Sequence, residues 1–299
     1  MQLARPIKAI TVFAAILLGF APVFRPASAV TQATPASGRF RVTLNGFRVN
    51  HESDDDILEG DGRGDEIFIT TNLWSISADG TAHDLPGLRT KVMGDNRGRP
   101  DRILAGSGTP NSTRILGGLR TGDGYPTLEP WRRTGPVQPD HPPMVLWEGT
   151  LTDSRDGVVI LPIVWEWDSP DRSASQASIE RGLPLWFEGA RRRALFGITP
   201  LGSATIQVIA GSIDLSGKAG TRPIGYVEAD STHSDQFTPQ AMMLTYNLAT
   251  LFAPSTAFSV KGVLEIRYVD KHDHGDYSLY LQVEQIATPT IPRTKAIRP

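Results

Sequence analysis

The chain has 299 residues, no cysteine, and 30 basic against 32 acidic side chains, for a formal charge of −2. That length allows one large or two small domains with a substantial core. The missing cysteines exclude disulfides, thiolate metal sites and thiol nucleophiles, and the near-neutral charge argues against nucleic acid, whose phosphates call for a basic face.

In chain order, Arg5 and Lys8 precede an apolar run from Ala9 to Phe24, and Ala27-Ser28-Ala29 supplies the small-x-small pattern that signal peptidase cuts after. Residues 1–29 are therefore expected to be a signal peptide, which predicts a secreted or periplasmic protein held together by its core. The apolar run is shorter than the ~20 residues a bilayer needs, and Pro22 and Arg25 interrupt it. No later segment is long and apolar enough to span a membrane. Residues 30–37 read as a small-residue linker.

From Arg39 the pattern has period two, with Phe40, Val42 and Leu44 on one face. After Gly46 the apolar phase flips to Phe47 and Val49, which suggests a bulge or a strand turning between sheets. Further strand-like runs are Glu66–Ile76, Met144–Thr152, Gly157–Trp167, Ala204–Ile213, Met242–Leu251, Val260–Val269 and Tyr277–Ile286. Short strands punctuated by glycine and proline predict an all-β antiparallel β-sandwich over residues 38–287, in one unit or two subdomains. Residues 87–141 read as long loops around one short strand near Ile115. Residues 171–195 predict a short helical insertion: one helix ended by Gly182, then a second opened by Pro184, with Trp186 and Ala190 facing inward. Residues 288–299 form a mildly basic tail, expected to be disordered.

Between the first two strands, His51 to Glu66 carries eight carboxylates and one arginine. Gly60, Gly62 and Gly64 alternate with Glu59, Asp61, Arg63 and Asp65, so the backbone can bend tightly and turn carboxylates toward one point. Calcium takes six to eight oxygens at such a point. Two carboxylates ~5 Å apart repel by roughly 3 kcal/mol at an effective dielectric of 20, so a converged loop calls for a cation and a splayed one does not. A second acidic turn, Asp270-Lys271-His272-Asp273-His274-Gly275-Asp276, joins the last two strand-like runs. An acidic run is also ordinary solvated surface, and aspartate with glycine is ordinary turn chemistry.

The segment Gly62-Arg63-Gly64-Asp65-Glu66-Ile67-Phe68-Ile69, after a strand and an aspartate-rich loop, resembles the first calcium loop of the protein kinase C-type calcium- and phospholipid-binding sandwich. Gly62 and Asp65 match that loop's glycine and aspartate. Gly64, Glu66 and Ile67 stand where the family has serine, proline and tyrosine. The later family loop carries aspartates two apart after a valine, whereas Asp270 and Asp273 here are three apart. The resemblance implies calcium coordination by Asp54 or Asp56, Asp61, Asp65, Asp270 and Asp273.

Other patterns are weaker. Arg63-Gly64-Asp65 is the adhesion tripeptide, His272 and His274 have zinc-compatible chemistry, and Gly211 to Ala219 misses a phosphate loop by glycine spacing and by alanine at the magnesium-binding position. HExxH and GxSxG do not occur. Trp147-Glu148 and Trp165-Glu166-Trp167-Asp168 pair aromatics with carboxylates as glycan clefts do, although paired tryptophans on a strand also serve as core. The leading expectation is a non-enzymatic protein binding calcium through its acidic end loops, for stability or for docking to a cell-surface, protein or glycan partner. The alternatives are a carbohydrate-binding or glycoside-cleaving Trp/Glu face, and a structural envelope domain without ligand.

Overall fold

Phe40, Val42, Leu44, Phe47 and Val49 are all fully buried in the computed structural model of the protein, on a single long strand, β1 (Ser37–His51). The register to its neighbour shifts between Leu44 and Gly46, so the phase flip in the sequence is a bulge that keeps both apolar sets facing the core. Glycine is required there: a Cβ on Gly46 would lie 2.1 Å from the Tyr125 carbonyl oxygen.

The structure describes residues 34–53, 64–96, 98–108, 117–167, 174–192, 206–209, 211–216, 221–227, 235–271 and 274–287. The expected signal peptide, residues 54–63 of the acidic loop, Ile115, His272 and the 288–299 tail lie outside these residues. So do four of the expected ligands: Asp54, Asp56, Asp61 and Asp273.

The strands that follow are β2 (Ile67–Ser77), β3 (Ala82–Arg89), β4 (Val92–Gly94), β5 (Arg102–Leu104), β6 (Gly124–Tyr125), β7 (Met144–Thr152) and β8 (Asp156–Glu166). Helix α1 (Ala174–Arg192) precedes four short strands: β9 (Gln207–Ile209), β10 (Ile213–Asp214), β11 (Tyr226–Val227) and β12 (Gln236–Phe237). The chain then runs through β13 (Gln240–Thr245), helix α2 (Tyr246–Phe252), β14 (Thr256–Ala257), β15 (Val260–Lys261), β16 (Val263–Val269) and β17 (Asp276–Ile286).

One sheet has the order β16-β17-β1, with β7 and β6 on the other edge of β1. The second has the order β5-β4-β2-β8-β13-β9, with β3 also paired to β2. Their strand pairs are antiparallel apart from β4 with β5. The inner faces of both contribute to one hydrophobic cluster, which makes this an all-β sandwich-like fold in a single compact unit, Pro35–Pro299. Among the described residues, no helix is long and apolar enough to cross a membrane.

Helix α1 packs on the outer face of the second sheet, where Phe187 stacks on Trp74 with ring centroids 4.6 Å apart. Covered on both faces, β8 is buried from Gly157 to Glu166, and its apolar run is continuous instead of alternating.

Several elements differ from the sequence expectations. Residues 174–192 form one helix, not two, with Gly182 and Pro184 inside it. Ile179, Leu183, Trp186, Phe187 and Ala190 make a continuous buried stripe, so packing outweighs a local break that costs roughly 3 kcal/mol for an interior proline. Met242–Leu251 is half strand and half helix. Thr245 ends β13 in an extended conformation, and its hydroxyl accepts the Leu248 N–H, capping α2. Val260–Val269 is interrupted at Gly262, whose φ of +69° lets the backbone pass close to the Val283 carbonyl. Among the described residues of 87–141, the end of β3 is followed by three short strands, β4, β5 and β6, and the strand expected near Ile115 lies outside the described residues.

Candidate functional site

His51 pairs with Asp276 across β1 and β17, and Asp276 pairs with Val269 across β17 and β16. The loop leaving β1 and the β16–β17 turn therefore emerge at the same end of the first sheet. The Asp270 N–H donates to the Gly275 carbonyl at 2.7 Å, closing that turn. Gly275 lies against Ser53, whose hydroxyl oxygen would be 3.1 Å from a Cβ on that glycine. Asp65, just before β2, is anchored by a reciprocal backbone pair with Leu119, each N–H donating at 2.9 Å.

Asp65 is only 4% exposed, and one of its carboxylate oxygens, Oδ2, collects three donors. The Ser53 N–H donates to it at 2.9 Å and the Ser53 hydroxyl at 3.2 Å, while Tyr277, fully buried at the start of β17, donates its phenol. Burial, then the Asp65 charge and hydrogen bond, then the Glu166 and Glu52 charges hold the Tyr277 phenol well above its ordinary range. The phenol is thus a neutral donor at any physiological pH. Asp270 and Glu166 are also buried, at 6% and 8% exposure.

The flank is laced by charge pairs. Arg267 grips Asp276 with two hydrogen bonds, its Nε donating at 2.8 Å, and Asn50 adds a third at 3.1 Å. Burial opposes the Asp276 charge, but the Arg267 and Asn50 hydrogen bonds and the Arg267 and His51 charges outweigh it, and the carboxyl titrates below its usual range. Arg102 lies 3.7 Å from Glu66 and 4.1 Å above the Trp167 ring. His51 and His274 meet edge to face, with ring centroids 6.2 Å apart.

The structure thus brings Asp65 and the Asp270 turn to one end of the molecule and adds Ser53, Tyr277, Glu52 and Glu166, which the sequence reading did not assign to the site. A hint of Tyr277 was available, since it falls in phase with the inward residues Leu279, Leu281 and Val283. As a calcium ligand set the described residues fit in part. Oδ2 of Asp65 is committed to three donors, so a cation could use only its other oxygen. Among the described residues, no group of three or more His, Asp or Glu side chains could hold a metal ion.

The Trp/Glu face fits a glycan cleft poorly. Trp165 is 1% exposed and stacks on Phe68, its indole N–H donating to the Thr70 hydroxyl at 2.8 Å. Glu148 is held by Arg39 at 2.6 Å and Arg41 at 2.7 Å. Trp165 thus serves in the core, the role the sequence reading also allowed, and Glu148 in a surface ion pair. Comparison with protein-family models, curated proteins and solved structures found no match.

Proposed function

We propose that this is a non-enzymatic, secreted or periplasmic β-sandwich protein whose acidic end takes up calcium, for stability or for docking to a surface partner. The reading is supported by one observation above all: the acidic loop after β1 and the acidic β16–β17 turn leave the same end of one sheet. Asp65 and Asp270 stand on the rigid frame there, the first tied to Ser53 and Tyr277 and the second in a closed turn. Asp54 or Asp56, Asp61 and Asp273 would supply the remaining carboxylates, as the resemblance to the protein kinase C-type sandwich implies. An ion would offset their mutual repulsion and draw the loop onto the frame.

The test is a thermal melt of the protein in 1 mM calcium against excess chelator. A site of about 10–100 μM affinity adds about 1.4–2.7 kcal/mol by linkage, a midpoint shift of several degrees at this size. Asp61→Asn and Asp270→Asn should each shrink the shift. An unchanged wild-type midpoint overturns the reading.

A further inference from the structure

The outer face of the first sheet gathers three aromatic rings from three parts of the chain. Tyr280 projects outward from β17, since its neighbours Leu279 and Leu281 point into the core. Trp131 follows β6 in a segment fixed to β1: Pro130 packs against Gly46, and the Asn45 amide donates to the Trp131 carbonyl at 2.9 Å. Phe258 stands at the tip of the β14–β15 hairpin. Its ring stacks on Trp131 with centroids 5.7 Å apart, and these two meet Tyr280 edge to face at 5.4 Å and 5.7 Å. Tyr280 is the buried floor of the cluster, whereas Trp131 is half-buried and Phe258 is 42% exposed.

The hairpin tip is strained. Phe258 and Ser259 have φ of +52° and +61°, as a type I′ turn requires, and those positions ordinarily fall to asparagine and glycine. A bulky side chain is unfavourable there, so the turn itself does not select phenylalanine. Strain held at an exposed ring points to a contact outside the chain.

Two polar side chains border the rings. Glu265 on β16 stands opposite Tyr280, and Arg48 on β1 stands opposite Ser278, the adjacent outward residue of β17. Both are half-buried, and neither has a hydrogen bond or ion pair among the described residues. Both act on the Tyr280 phenol: burial and then the Glu265 charge raise its pKa, against the Ser278 hydrogen bond and the Arg48 and Arg267 charges. The face thus sets apolar ring surface beside a carboxylate, which can only accept, and a guanidinium, which can only donate. One charge of each sign favours a neutral ligand. A proline-rich peptide would lie on the rings and accept from Arg48, but it lacks the donors that Glu265 needs. A pyranose supplies everything: its C–H face packs flat on an aromatic face, and its hydroxyls both donate and accept.

We propose that this face binds a neutral saccharide, one pyranose ring against Phe258 and Trp131 and its hydroxyls shared between Glu265 and Arg48. The site does not depend on the acidic end, and calcium plays no part in it.

Calorimetric titration of the full chain in excess chelator tests this, with cellohexaose, N-acetylchitohexaose and maltohexaose as probes and hexaproline as the competing one. At least one saccharide is expected to bind below millimolar concentration, and more tightly than hexaproline. Phe258→Asn, which suits the left-handed turn and keeps the hairpin, should weaken that saccharide at least tenfold. Glu265→Gln and Arg48→Met should each weaken it several-fold, and Glu265→Gln serves if the asparagine variant melts early. Failure of all three saccharides to bind at millimolar concentration, tighter binding of hexaproline than of any of them, or an unaltered affinity in a folded Phe258→Asn or Glu265→Gln variant would overturn the proposal.

Discussion

A buried aspartate and a buried tyrosine, 212 positions apart, define the acidic end at the scale of single residues. Asp65 is buried with its Oδ2 oxygen accepting two hydrogen bonds from Ser53 and one from Tyr277. Hydrogen bonds to charged groups contribute roughly 1.5–3 kcal/mol, and a buried carboxylate that loses one is left with less than it needs. Tyr277→Phe preserves the ring in the core and removes only the donor. It is expected to cost about 1.5–3 kcal/mol in urea unfolding at pH 7, and a change below about 0.5 kcal/mol would mean the carboxylate finds another partner. Alternation along β17 makes the inward direction of Tyr277 legible in the sequence. Its partner is not legible, because strand pairing between the two ends of the chain decides it.

At the scale of elements, α1 offers a paired experiment. Both Gly182 and Gly189 lie within one helix, where glycine ordinarily costs about 0.5–1 kcal/mol relative to alanine. A Cβ on Gly189 meets nothing within 4 Å, so Gly189→Ala should raise stability by about that amount. A Cβ on Gly182 would lie 2.6 Å from a methyl of the buried, β-branched Ile213, which cannot swing away cheaply. Gly182→Ala should therefore destabilise, and opposite signs in the two melting shifts are the outcome that counts; two stabilising shifts would refute the packing argument. The same glycine explains a misreading. Gly182 and Pro184 carry local stop and start signals, and only the buried stripe from Ile179 to Ala190 shows that the helix runs on. Strands were more legible, Met144–Thr152 in the first sheet to the residue, because period two and turn residues are local. The switch at Thr245 from strand to helix was not, because Tyr-Asn-Leu-Ala-Thr-Leu is apolar enough for either.

For the whole molecule, paired carboxylates and buried phenols respond to pH in opposite directions. The His141 and Lys91 hydrogen bonds hold Asp140 below the ordinary range, and the Arg41 hydrogen bond does the same for Glu148, as does Arg267 for Asp276 against burial. In the unfolded chain these groups protonate near pH 4, before the folded ones do, so their stabilisation is present above that pH and is lost as pH falls through the folded values. Burial raises Tyr125, Tyr268, Tyr277 and Tyr280, so the unfolded phenols ionise first, near pH 10, and stability declines as pH rises beyond it. A plateau between about pH 5 and pH 9 follows. Arg267→Ala isolates one contribution. The Arg267 side chain is 56% exposed, so the pair is worth about 0.5–1 kcal/mol at pH 7, on the scale of a surface salt bridge. Below the folded pKa of Asp276 the partner is neutral in both states, and the cost of the substitution should vanish. Urea titrations stepped down from pH 7 read this: a cost that stays equal at every acid pH at which the fold persists would show that Arg267 acts through packing and not through the Asp276 charge.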